Sequence, residues 1–513
     1  MRLSARWLDG LTLAGFILVA FVLFIWRSDA LPLQYWDESR IANNALEAAM
    51  AGHWLVPTDH GWVDRWETKP PLLPWAMAAF MKAGFAPLWA VRAPSIVAAL
   101  ATLGLVWGAL RIDLKDRLAG AVAVALVLSA NVFVGLHGAR TGDYEVPESA
   151  LILAYVLCLW KAADDPARPG WLFAAGGCIV AAAMIKGVAG LIPLPGCAVF
   201  MLADRRRFAA LAGDWRTWLA GAATIGLIAG YYLSREAYDP GYLKAVFANE
   251  LGSRLLAVNE GHGEGPFFYL GVLFRGFLPG LLLLPLAAVS VFHGEARRRD
   301  LALISLAGGG CLILVLSIAQ TKLFHYVIPA IPLLAVAAAI GVADAARRLA
   351  AHPARARIVL GGVAVLCAAG LARTILLSLT FYSPMPFRMR DGAFLAALHK
   401  AGERAPVTVV DDELWLLPYG GPPGRRYSQI IDFYATLYRA DWPIGQAQIG
   451  WRLATPSSAI TCSPAALAWL RGAYDFSLAR RGDGCVLLRL RAPRNSASPT
   501  PSSSPNGGPV RSS

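Results

Sequence analysis

The chain has 513 residues, of which 57% are hydrophobic and only 16% charged. Soluble globular chains carry roughly a quarter charged residues, so an ordinary soluble protein is excluded. The formal net charge of +13 does not mark a nucleic-acid binder, because the basic residues lie in short connections between apolar blocks rather than in one patch.

The first apolar block, residues 11–26, follows Arg2 and Arg6. This could be a signal peptide, but no small-residue cleavage site comes after it, so it reads as an uncleaved anchor. Further blocks follow at 85–110, 118–136, 146–160, 171–185, 188–203, 218–233, 266–292, 301–319, 326–343 and 358–379. Crossing a bilayer takes about 17–25 residues. The sequence therefore predicts about eleven transmembrane helices, the shorter blocks remaining open to a re-entrant reading. Basic residues occupy alternate connections: Arg111, Lys115 and Arg117; Lys161 and Arg168; Arg205, Arg206, Arg207 and Arg216; Arg297, Arg298 and Arg299; Arg347, Arg348, Arg355 and Arg357. The positive-inside rule puts these and the N-terminus in the cytoplasm. An odd span count then puts everything after Leu379 outside.

The expected fold is a polytopic α-helical membrane protein with a small α/β domain on its outer face. Residues 1–380 form the transmembrane domain, with outside loops at 29–84, 137–145 and 234–265; residues 381–492 form the soluble domain, and 493–513 a disordered Ser/Pro/Gly-rich tail. In the soluble domain, 406–410 and 485–490 read as strands and 394–400 and 465–471 as helices. Five of the seven cysteines fall in apolar blocks; Cys462 and Cys485 fall outside and could form a disulfide in an oxidising compartment. No internal repeat is visible.

Candidate chemistry crowds the outside loops. Asp37 and Glu38 follow the first span, with Arg40 two residues on. Adjacent carboxylates at a membrane boundary are costly unless compensated; they read either as a solvated loop start or as a base or ion site facing a cavity. Glu67-Thr68-Lys69-Pro70-Pro71 holds Lys69 on a stiff corner, because the prolines exclude regular helix. Lys69 is either a snorkelling lysine or a point charge for a lipid phosphate. The second loop carries His137, Arg140, Asp143 and Glu145, followed by Glu148; the third carries Glu250 and His262; and Thr321-Lys322-Leu323-Phe324-His325-Tyr326 lies at another boundary. An Arg140–Asp143 pair could be purely structural, and a lone His262 more often holds no metal than one. No phosphate loop, dinucleotide glycine fingerprint, D-x-D or zinc-type spacing occurs, which argues against a nucleotide-using site.

In order along the chain, these motifs resemble the GT-C superfamily, and within it bacterial glycosyltransferases of family 39, related to protein O-mannosyltransferases and lipid A aminoarabinose transferases. The resemblance rests on Asp37-Glu38 with Arg40, Glu67-x-Lys69-Pro70-Pro71-Leu72, Arg140-x-x-Asp143, Lys186-Gly187, His262 with Pro266-Phe267-Phe268-Tyr269, and Lys322-Leu323 with Tyr326 before Pro329. Thr68 departs from the pattern, since the aminoarabinose transferases have Glu and Lys adjacent. The resemblance implies a sugar donor on undecaprenyl phosphate at the periplasmic face of a bacterial inner membrane, and a lipid A, glycan or protein acceptor. It implies Asp37 as catalytic acid/base, with Asp143 and Glu38 as further acids of the cavity. Lys69, Arg40, Arg140, Lys322 and Tyr326 would hold the donor phosphate. Glu67 and His262 would share a divalent cation or a salt bridge, and no cofactor is required. Two other classes stay open at this point: a lipid or sugar flippase, which would show mid-span ionisable residues and repeat symmetry, and a non-catalytic sugar-lipid binding subunit, which needs no acid at Asp37.

Overall fold

In the computed structural model, residues 5–59, 61–252, 257–258, 261–380, 387–412, 414–416 and 426–494 are described. The chain divides into two units: residues 1–28, 68–80 and 89–381 make one, and 29–67, 81–88 and 382–513 the other.

Seven helices of the first unit are long and apolar enough to cross a membrane, among the described residues: Asp9–Ala30, Pro87–Asp113, Glu145–Asp164, Gly170–Leu191, Ala296–Ile318, Ala330–Ala351 and Pro353–Thr380. The expected block at 266–292 is an eighth only if a broken pair is counted as one span: Phe268–Gly276 and Leu278–His293 meet at 106°. Phe277 has left helical geometry, at φ −144° and ψ 32°, and Pro279 follows; a proline there cannot continue the preceding helix. The remaining expected spans are the short apolar helices Arg117–Ser129 and Leu194–Ala203 and the helix Trp215–Tyr238. Only seven or eight of the eleven expected spans thus meet the length and composition of a full crossing.

The helix Ala330–Arg348 is the centre of this unit, with every residue from Ala330 to Asp344 buried. Its alanines and Gly341 let neighbours approach closely. A Cβ on Gly341 would lie 2.3 Å from the Leu286 carbonyl carbon. One end of these helices is tied by ion pairs. Arg298 holds Asp116 at 2.7 Å and Asp344 at 2.8 Å, and Arg347 reaches the same two carboxylates. Asp116 also caps the helix Arg117–Ser129 by accepting from the Ala119 amide.

The second unit contains more than the C-terminal segment. Residues 29–84, expected as a loop, fold into a helix Asp37–Ala51, a short hairpin of Thr58–Asp59 with Trp62–Val63, and a helix Leu72–Lys82 that begins in the first unit. The first of these helices has two acids in its opening turn, an alanine-rich body and a left-handed Gly52 at its C-terminus, φ +79°, all of which favour helix. It packs on the helix Gln429–Tyr438, and Asn43 donates to the Gln429 carbonyl at 2.9 Å. The expected strands and helices of the soluble domain are present, extended to Val407–Asp411, Cys485–Pro493, Phe387–Lys400 and Pro464–Ala473. Val407–Asp411 lies between Ile444–Gln448 and Ser457–Thr461, parallel to both. Cys485–Pro493 and Tyr474–Gly482 complete the five-stranded sheet in antiparallel register. Cys462 and Cys485 are joined by a disulfide. The expected tail lies outside the described residues beyond Arg494.

Candidate functional site

In the first unit, three backbone breaks bring charged side chains together. The helix Gly170–Lys186 stops because Gly187 takes φ +61°, a conformation that glycine adopts without strain. Lys186 is therefore a helix C-terminal cation, which the helix dipole favours. The helix Glu145–Asp164 starts with Glu145 and Glu148 in its first turn, the complementary arrangement. Before it, Gly142 presses against the helix Pro87–Trp107: a Cβ there would meet Val91 at 2.6 Å. The third break is the short turn Phe324–Val327, which carries His325 and Tyr326.

Lys186 donates to Glu145 Oε1 at 2.5 Å and lies 3.6 Å from Glu148 Oε2, with its Nζ 4.7 Å from the centre of the Tyr326 ring. All three ionisable side chains are buried, and Glu145 Oε2 has no hydrogen-bond partner among the described residues. Across Glu145, His325 Nε2 lies 3.4 Å from Oε1. The His325 ring stacks on His137 with centroids 3.9 Å apart, and His137 Nδ1 bonds Asp143. His137 sits at φ +57°, a strained conformation for a side-chain-bearing residue. Lys69 Nζ lies 5.0 Å over the Tyr144 ring. His137, Asp143 and Glu145 each offer a ligand atom within 4.8 Å of the others, close enough to share a divalent ion.

Beside this cluster is a cavity of about 150 Å³, lined by Glu148, Lys186, Glu250, Thr321 and Tyr326 at its polar side and by Val188, Ile192, Leu312, Val315 and Leu316 along its walls. Thr68, the departure noted above, donates to Glu250 at 2.8 Å, and its carbonyl accepts from the Tyr242 hydroxyl.

The other sequence-predicted residues of this unit have structural engagements. Arg140 donates to the carbonyls of Leu23 at 2.9 Å and Trp26 at 3.1 Å, which end the first helical span; a guanidinium there answers orphan carbonyls and the helix dipole. Lys322 Nζ donates to the Ala319 carbonyl at 2.5 Å, and its amide donates to His262. His262 itself is exposed. The fold thus gives Lys186, rather than Lys322, to Tyr326. Lys186 stood in the sequence only as a motif residue, and His137, Glu145, Glu148 and His325 only as loop charges; the Lys-Gly helix end was the one signal that could have singled one out.

The second unit holds Asp37, Glu38, Arg40 and Glu67. Asp37 opens its helix, half-buried, after Trp36 at φ +69°. Glu38 accepts from the Gln34 amide at 2.7 Å. Arg40 makes a forked pair with Asp64, at 2.6 and 3.2 Å, beneath the Trp66 ring. Burial alone would raise the Asp64 carboxyl; the Arg40 guanidinium outweighs it and holds Asp64 below the usual carboxylate range. Two of the five Arg40 donors are thereby engaged with Asp64. Glu67 is buried, and its amide donates to Asp64 at 3.3 Å.

Residues 68–231 match the family model described as dolichyl-phosphate-mannose-protein mannosyltransferase. The undecaprenyl phosphate-alpha-4-amino-4-deoxy-L-arabinose arabinosyl transferase 2 of Pseudomonas fluorescens is 28% identical over 281 residues, 52% of this chain and 46% of that protein. The corresponding transferase of Shewanella sediminis is 28% identical over 318 residues, 60% of this chain and 56% of that protein. The chain thus spans about half the length of the curated relatives it matches. ArnT from Cupriavidus metallidurans, solved bound to undecaprenyl phosphate, superposes with a TM-score of 0.68 at 17% identity, covering 97% of this chain and 100% of that one. The apo oligosaccharyltransferase of Archaeoglobus fulgidus gives 0.53 at 12% identity, over 91% and 73%. The chain thus shares its fold with ArnT and with the archaeal oligosaccharyltransferase, on seven or eight candidate membrane spans among the described residues. In sequence the chain is similar to the protein mannosyltransferase model over residues 68–231 and to the undecaprenyl phosphate aminoarabinose transferases over about half of its length.

Proposed function

We propose that this protein is a membrane glycosyltransferase that takes a sugar from undecaprenyl phosphate and delivers it to a lipid, glycan or protein acceptor at the periplasmic face of a bacterial inner membrane. The observation that carries this is Lys186, a buried ammonium fixed between Glu145 and Glu148 at the polar side of an apolar-walled cavity. A polyprenyl phosphate has the matching form, an anionic head on a hydrocarbon tail. An ammonium has three donors. One lies on Glu145, and Glu148 at 3.6 Å is beyond hydrogen-bond range, so donors remain for a phosphate. The names of the relatives and the lipid in the ArnT structure point the same way.

In this reaction the bond from the sugar anomeric carbon to the phosphate oxygen breaks, and the phosphate leaves with the electron pair. The acceptor oxygen bonds to that carbon and loses its proton to a base, the part that the sequence resemblance gives to Asp37. Lys186, Lys69 and Tyr326 stabilise the leaving phosphate, and such fixed cations act most strongly where water is excluded. Asp143, through His137, shapes the acidic wall. These steps are routed through no metal, and Glu67 and His262 have no part in them. The test is incubation of the purified protein with undecaprenyl phosphate sugars and a panel of acceptors. Release of undecaprenyl phosphate with a glycosylated product supports the reading. No release with any donor refutes it.

A further inference from the structure

The second unit has a cavity of about 820 Å³ that takes no part in the chemistry above. Small-molecule sites run to about 300–1,000 Å³. One wall comes from Glu47, Ala51, His53 and Gly61; the other comes from the amino ends of the three parallel strands and the end of the helix Gln429–Tyr438.

Its polar groups are built into the fold. Glu47 is only 6% exposed. The Thr58 hydroxyl donates to it, and the Gly61 amide lies 3.1 Å from both its oxygens. Thr58 in turn bonds His53 Nδ1 at 2.8 Å, which leaves His53 Nε2 available. On the facing wall Arg439 is exposed, with no ion pair from its guanidinium among the described residues, and Ser457 adds a hydroxyl. Pro406 and Pro443, both exposed, and the half-buried Ile444 supply apolar surface.

One fixed carboxylate faces one guanidinium, so the cavity has no excess of either sign. That balance disfavours a nucleotide or a polyphosphate, which would need several cations. A neutral or weakly charged polyol suits it: hydroxyls donate to the carboxylate and to the imidazole Nε2, which accepts because Nδ1 donates to Thr58, they accept from the guanidinium, and C–H faces lie on the apolar wall. We infer that this cavity binds a short saccharide, and that it holds the glycan part of the acceptor. The second half of that inference rests on the function proposed above; the first half does not.

The experiment uses the full chain in nanodiscs, with glucosamine and N-acetylglucosamine as mono-, di- and trisaccharides as probes, read by saturation-transfer NMR. Ala454 lines the cavity and is exposed, so Ala454→Trp should block it without burying bulk in the core. The expected result is transfer to the di- and trisaccharides, abolished in Ala454→Trp and weakened about 10–150-fold in affinity in Arg439→Ala, the range for one hydrogen bond to a charged group. Thermal melting checks that both variants fold, and release of undecaprenyl phosphate to water from a sugar donor should be unchanged in both. Absence of transfer from every probe, equal transfer in the blocked variant, or displacement by inorganic phosphate alone refutes the saccharide site. Saccharide binding that responds to both variants, in a protein that never cleaves a donor, leaves the cavity standing and overturns the proposed reaction instead.

Discussion

Replacing Lys186 separates structural from catalytic roles at the site. In Lys186→Met the stem volume survives and the charge is lost. Glu145 and Glu148, each about 2% exposed, are then left without their cation. Removing one partner of a buried ion pair costs about 3–5 kcal/mol, so the single variant should lose much of its stability and its activity would be hard to interpret. Lys186→Met with Glu145→Gln removes the 2.5 Å pair from both sides and should recover most of that stability, because Glu148 at 3.6 Å can take up a proton. If Lys186 holds the leaving phosphate, the double variant still lacks a charged hydrogen bond worth about 1.5–3 kcal/mol, or about 10–150-fold in kcat/KM. The assay is release of undecaprenyl phosphate in nanodiscs, with thermal melting on the same samples. A double variant that melts near the wild type and turns over at the wild-type rate would refute Lys186 as a phosphate ligand.

Asp37→Asn should preserve donor binding and lower turnover by about 10²–10⁴-fold if Asp37 is the general base; near-normal turnover by the same assay would remove that role. Arg298→Ala leaves the buried Asp116 and Asp344 with only the half-exposed Arg347, and should destabilise the first unit by about 3 kcal/mol, read as a lower melting temperature in detergent. Burial pushes the Asp116 carboxyl up, but the Ala119 amide, Arg298 and Arg347 outweigh it and hold its pKa below the ordinary value. Its contribution is therefore complete above about pH 4 and is lost as the pH falls through the depressed native value; the wild type should lose stability more steeply in acid than Asp116→Asn, and equal slopes would discount this pairing. Thiol labelling of Cys462 and Cys485 should require prior reduction, since the two are bridged, and labelling of the folded, unreduced protein would contradict the bridge.

Composition and the spacing of apolar blocks were enough to establish a polytopic helical protein, because hydrophobic segment length is a local property that needs no partner. The strands beginning at Val407 and Cys485 and the helix ending at Lys400 were also legible, since alternation and helical periodicity are local. The break at Phe277 was not, because its apolar run continues unchanged through the bend. Nor was the helix Asp37–Ala51: beside such strongly apolar blocks its mixed composition reads as a loop, and its partners in the Gln429–Tyr438 helix lie almost four hundred residues away, Asn43 to Gln429 being 386 apart. Among site residues, the sequence could name charges but not their company. Arg40, Arg140 and Lys322 are chemically as fit for a phosphate as Lys186, and only packing decides that the first meets Asp64, the second a helix end, the third the Ala319 carbonyl, and the last two carboxylates beside an apolar cavity. Charge type is written in the chain; which partners each charge meets depends on distances of a few ångströms between segments far apart in sequence, and those exist only once the helices have packed.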